Sequence, residues 1–126
     1  MTEKTVLIVE DSPTQALHLR TLLEDAGLTV FVADNGETGI DYARRNHPRA
    51  IVLDLEMPGM NGLQVCMQLK KDRTTALIPV ILLTHLDATE MVFRGLQIGA
   101  VEYIPKDAFA DAVLLESFRQ MGLIAA

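Results

Sequence analysis

In Val6-Leu7-Ile8-Val9-Glu10-Asp11, four aliphatic residues in a row lead straight into two acids. A short apolar run without polar alternation suits a strand buried on both faces, as in a parallel sheet. The pattern returns three times. Ile51-Val52-Leu53 runs into Asp54, Val80-Ile81-Leu82-Leu83 runs into Thr84, and Tyr103-Ile104 passes through Pro105 to Lys106. In an open parallel sheet, ligands sit in the crevice beyond the carboxyl ends of the strands. Three carboxylates, a hydroxyl and an ammonium are thereby expected at one rim.

Helical stretches separate the strands. Ser12-Pro13-Thr14-Gln15 has the form of a capping box with proline in the first turn. The helix that follows carries Leu19, Leu22, Leu23 and Ala26 on one stripe and stops at Gly27. A strand over 29–33 precedes the turn Asn35-Gly36, and a second helix is ended by His47-Pro48. After the strand 50–54 comes a loop with Pro58 and Gly59, then a helix over 62–72. Pro79 is tolerated as the first residue of the next strand. The pattern closes with a helix over 89–98, a strand over 102–104 and a helix over 107–121. Five repeats of strand then helix imply one α/β domain, residues 1–126, with a doubly wound parallel sheet covered on both faces.

The chain has 126 residues, a size that buries roughly two-thirds of its unfolded surface without staples. Cys66 is the single cysteine, so an intrachain disulfide is excluded and a reducing compartment is expected. No stretch approaches the ~20 apolar residues of a membrane span, and the N-terminus lacks a signal-peptide pattern. Together these point to the cytoplasm with no membrane insertion. A net charge of −6 opposes direct nucleic-acid binding. Arg44-Arg45 and Lys70-Lys71 read as cations favouring the C-terminal ends of their helices.

A carboxylate at a buried strand end, such as Asp54, suits a nucleophile that forms an acyl phosphate, or a metal ligand. Glu10 and Asp11 would crowd it, and a divalent cation would relieve that crowding. Mg²⁺ takes hard oxygen ligands and bridges to phosphate oxygens, with Mn²⁺ as a plausible substitute. Phosphoryl transfer needs positioning and neutralisation of charge rather than covalent help. Lys106 and Thr84 would supply a point charge and a donor.

Four stretches carry a family resemblance. They are Val6 to Asp11; Val52-Leu53-Asp54-Leu55-Glu56-Met57-Pro58-Gly59-Met60-Asn61-Gly62; Pro79 to Thr84; and Gly99-Ala100-Val101-Glu102-Tyr103-Ile104-Pro105-Lys106. As a set they resemble the response-regulator receiver domain of two-component signalling, end to end, in the manner of a single chemotaxis-regulator-like receiver. The resemblance implies a flavodoxin-like sheet of order 2-1-3-4-5. It makes Asp54 the phosphoacceptor for a histidine kinase or phosphotransfer protein. Asp11 and Asp54 would bind Mg²⁺ directly, Glu10 would bind it through water, and Glu56 would add its backbone carbonyl. Thr84 and Lys106 would contact the phosphoryl group, with Thr84 and Tyr103 forming the switch. The product is a signalling state with slow autodephosphorylation, so the chain is not a turnover enzyme.

Several positions depart from the family pattern. Asp107 follows Lys106 where proline is common, and His85 follows Thr84 where small residues are common. His85 is expected to narrow access to the site or to titrate beside it. Glu56 and Leu86 are expected to influence the lifetime of the phosphoryl group. His18 and His47 read as surface residues, and Cys66 as a small core hydrophobe. Val113-Leu114-Leu115 spans more of a helix than one buried stripe needs. With Met91 and Phe93 it suggests a docking face on the fourth helix, fifth strand and fifth helix, used by a downstream partner or a homodimer.

Three rival readings explain less of the sequence. A small aspartate-nucleophile phosphohydrolase would use Asp54-Leu55-Glu56 as an acid-x-acid motif, but its metal acids are expected late in the chain rather than at Glu10-Asp11. A receiver-like binding module without phosphorylation leaves the intact set of acids, threonine and lysine unexplained. Flavin binding lacks stacking partners, with no Trp and two Tyr.

Overall fold

Strands and helices alternate along the chain: β1 (Thr5–Val9), α1 (Pro13–Asp25), β2 (Thr29–Ala33), α2 (Gly36–Asn46), β3 (Ala50–Asp54), α3 (Gly62–Lys71), β4 (Val80–Thr84), α4 (Thr89–Ile98), β5 (Glu102–Pro105) and α5 (Ala110–Gln120). The structure, a computed structural model, describes residues 4–85 and 89–125. The five strands are all parallel, in the order β2-β1-β3-β4-β5, as expected.

The unbroken apolar runs follow from this layering, because successive strand residues face opposite sides of a sheet and here both sides are covered. Leu7, Val9, Ile51, Leu53, Val80 and Leu82 meet Ile40, Ala43, Val65, Cys66, Leu69 and Val92 from α2, α3 and α4. Val6, Ile8, Val52, Ile81, Leu83 and Ile104 meet Leu19, Leu23, Leu114 and Phe118 from α1 and α5. Every residue of β3 and β4 is buried. Cys66 is fully buried, as read from the sequence.

Register then sets the rim. Val9 pairs with Leu53, Asp54 with Leu83, and Thr84 with Pro105. Glu10, Asp54, Thr84 and Lys106 therefore leave the sheet within two residue levels of one another. Pro105 extends β5 one residue beyond its expected end, and the Lys106 amide donates to the Thr84 carbonyl at 2.7 Å.

Local capping differs from expectation in two places. Ser12 caps α1 by accepting from the Gln15 amide at 3.4 Å, whereas the reciprocal capping box lies at Asn61 and Gln64, ahead of α3. The fifth helix starts at Ala110 rather than 107, because the Asp107 carboxylate accepts the Phe109 amide at 2.8 Å and holds a turn. Such a side chain competes with the backbone for the donor and favours a turn over a first helical turn. Lys70 lies in the last turn of α3, as expected for a helix-end cation, and also makes contacts the sequence does not announce. Its ammonium donates to the carbonyls of Ala76 and Ile78, at 3.0 and 2.8 Å, tying α3 to the loop before β4. His47 ends α2 in the left-handed region at φ 49°, immediately before Pro48. The Lys106–Asp107 peptide is trans.

α3 begins in direct contact with the backbone of Asp54 and Leu55. A methyl group on Gly62 would clash with the Asp54 carbonyl oxygen and approach the Leu55 Cα to 2.6 Å. Backbone cannot yield as a side-chain tip can. Gly62→Ala is expected to destabilise the fold by about 1–3 kcal/mol, the range of forced overpacking. A urea midpoint equal to wild type would show that α3 can back away.

Candidate functional site

Asp54 ends β3 at the centre of the sheet and is 3% exposed. Its Oδ1 accepts the Glu56 amide at 3.0 Å, and its Oδ2 lies 3.3 Å from the Lys106 Nζ. Glu10, which follows β1 and is 2% exposed, places Oε1 3.3 Å from the same Nζ and accepts the Ser12 amide through Oε2 at 3.2 Å. Lys106 reaches both acids because its own amide is pinned to the end of β4. One ammonium therefore bridges two buried carboxylates from separate strands.

Asp11 completes the acidic group. Glu10, Asp11 and Asp54 each offer an oxygen, and these oxygens lie within 4.8 Å of one another. Burial pushes the Glu10 carboxyl up to about 7, helped by a hydrogen bond to Asp54 and by that residue's charge. The Ser12 amide and Lys106 oppose the shift. The donor set is all hard oxygen, its negative charge is only partly offset by Lys106, and the acids converge. These properties fit a small divalent cation held by carboxylates.

Thr84 ends β4 and is fully buried. Its hydroxyl donates to Glu56 Oε1 at 3.2 Å, and the His85 amide donates to the same oxygen at 3.2 Å. That amide, with Thr84 as a lesser contributor, holds the Glu56 carboxyl below its ordinary range although the side chain is exposed. Sequence patterning gave no sign of this pairing. Residues two after a strand-end acid and one after a strand-end threonine become neighbours only because β3 and β4 are adjacent.

Tyr103 is partly buried and packs against the α2–α4 side of the core. His85 is exposed and lines a cleft of about 440 Å³ with His18, Leu83, Lys106, Asp107 and Asp111, between α1 and α5. His18 and His47 are both exposed, as expected, although His18 also contacts Asp111 of α5 at 2.7 Å. Leu86 lies outside the described residues.

The sequence matches the family model for the response regulator receiver domain over residues 6–119. The chain belongs to the receiver family. It is 39% identical over 109 residues to protein PilH of Pseudomonas aeruginosa, covering 86% of this chain and 90% of PilH. It is also 39% identical over 116 residues to the response regulator PleD of Caulobacter vibrioides, covering 92% of this chain but 25% of PleD. A solved signal receiver domain of a signal transduction histidine kinase from Syntrophus aciditrophicus superposes with a TM-score of 0.84 at 38% identity, covering 94% of this chain and 89% of that one. The chain thus spans nearly all of one relative and a quarter of another. Receiver domains are signalling modules of two-component systems, and the family binds Mg²⁺ in the acidic pocket that Glu10, Asp11 and Asp54 form here.

The raised Glu10 carboxyl has a definite consequence for stability. Between pH 4.5, its value when exposed, and about 7, the folded chain binds a proton that the unfolded chain has released. Stability therefore falls as pH rises through that window. With metal chelated, Glu10→Gln should gain stability relative to wild type between pH 5 and pH 8. Urea unfolding at the two pH values checks this, and an equal difference at both would contradict it.

Proposed function

We propose that this chain, acting as one receiver unit in the cytoplasm, accepts a phosphoryl group on Asp54 from the phosphohistidine of a kinase or phosphotransfer protein. The observation that carries this is the bridging of Asp54 and Glu10 by Lys106 at a strand-end rim, 3.3 Å from each. An Asp54 carboxylate oxygen attacks phosphorus. The P–O bond forms as the P–N bond breaks, and its electron pair leaves on the imidazole nitrogen. Lys106 holds the carboxylate in place and remains to face the anionic oxygens of the acyl phosphate. Thr84, from the end of the neighbouring strand β4, supplies a hydroxyl donor. Asp11, Asp54, the Glu56 carbonyl and, through water, Glu10 would hold Mg²⁺ or Mn²⁺, which would neutralise charge on the transferring group.

Output is proposed to pass to the face formed by α4, β5 and α5. Phe93, Leu96, Val101, Phe109 and Val113 are all exposed there, and Val101, Phe109 and Val113 border a cleft of about 710 Å³. A downstream protein or a second copy of the chain would bury them once phosphorylation moves Thr84 and Tyr103. Val113-Leu114-Leu115 spans more of α5 than one buried stripe needs, and Leu114 is buried while Val113 is 40% exposed.

Incubation with acetyl phosphate and Mg²⁺ should add one phosphoryl group by intact mass. Asp54→Asn should add none, and Lys106→Ala should slow uptake by about 10²-fold or more, as loss of one stabilising contact does. A gain on Asp54→Asn equal to wild type would remove Asp54 from the reaction.

A further inference from the structure

Glu56 is the residue whose side chain does something the proposed phosphoryl chemistry does not require. A threonine hydroxyl carries one proton and can donate one hydrogen bond at a time. Here that proton is directed at Glu56 Oε1, 3.2 Å away, and Thr84 is fully buried, with no solvent to serve as an alternative partner. The same oxygen is held by the His85 amide at 3.2 Å. The Glu56 amide meanwhile donates to Asp54 Oδ1. One residue therefore secures the proposed acceptor through its backbone and the proposed switch hydroxyl through its side chain.

We infer that Glu56 is a positioning residue that latches Thr84 in the unphosphorylated state. This inference rests on the proposal that Thr84 donates to a phosphoryl group on Asp54. For Thr84 to donate there, it must first give up Glu56, because the two acceptors compete for one proton. The competition is between a carboxylate and a phosphoryl oxygen, both anionic, so the exchange is close to balanced. The exposed position of Glu56 lets water take over its carboxylate when the hydroxyl leaves. The latch thus sets how readily the site closes on a phosphoryl group, without taking part in bond making.

Removing a carboxylate would also favour an incoming anion by simple electrostatics, so the test must separate the two effects. Beryllofluoride with Mg²⁺ stands in for the phosphoryl group on Asp54, and half-saturation is read by titration. Glu56→Ala should tighten binding by roughly two- to tenfold more when Thr84 is present than in a Thr84→Val background, the range one hydrogen bond supplies. An equal effect in both backgrounds overturns the latch and leaves phosphoryl acceptance intact. Failure of wild type to bind beryllofluoride overturns both. A second readout needs neither metal nor anion: the His85 amide proton resonance in the metal-free protein. Glu56→Ala should move it upfield, and Glu56→Gln, which keeps an acceptor oxygen, should move it less. No shift on Glu56→Ala overturns the latch, and should Thr84→Val not fold, Thr84→Ala, which also lacks the hydroxyl, replaces it in the titration comparison.

Discussion

Three acids brought together by two strand ends would repel one another, and the structure tolerates them because a lysine from a third strand end reaches between two of them. Buried like charges are costly unless paired. The Lys106 ammonium offsets part of that cost at 3.3 Å from both Glu10 and Asp54, and the Glu10 carboxyl, raised to about 7, takes up part of what is left by holding a proton. The rim is therefore short of positive charge by construction. That shortage suits the rim to a divalent cation.

The rest of the fold serves that arrangement. Parallel pairing puts the carboxyl ends of the strands on one side, register brings them level, and the Thr84 carbonyl anchors the Lys106 amide. Gly62 lets α3 start against the Asp54 backbone, so the end of β3 is braced by a helix. The two cores differ in what they support. The α1 and α5 layer borders the cleft beside Lys106, whereas the α2–α4 layer includes Tyr103.

Much of this was legible in the residues. Unbroken aliphatic runs ending on Glu10, Asp54, Thr84 and the approach to Lys106 predict both the sheet and its rim, because burial on two faces leaves no other pattern. Short-range devices were harder to read. Ser12 and Gln15 have the composition of a capping box yet form only half of one, while Asn61 and Gln64 form it fully. Lys70 is the helix-end cation its position predicts, but nothing local announces that its ammonium is held by two loop carbonyls. Asp107 looked helical and instead holds a turn. The Glu56–Thr84 contact joins residues 28 apart, and local sequence carries no signal for a pairing that depends on which strands lie side by side.

That all five residues of both β3 and β4 are hidden has a consequence for how such a protein can diverge. The sheet interior has little freedom, since changes of even one methylene are felt in a close-packed layer. Glu56 and His85 sit outside it, on connecting segments where exchange costs the framework little. Those two positions can change from one descendant to the next while the buried layers of the sheet stay fixed.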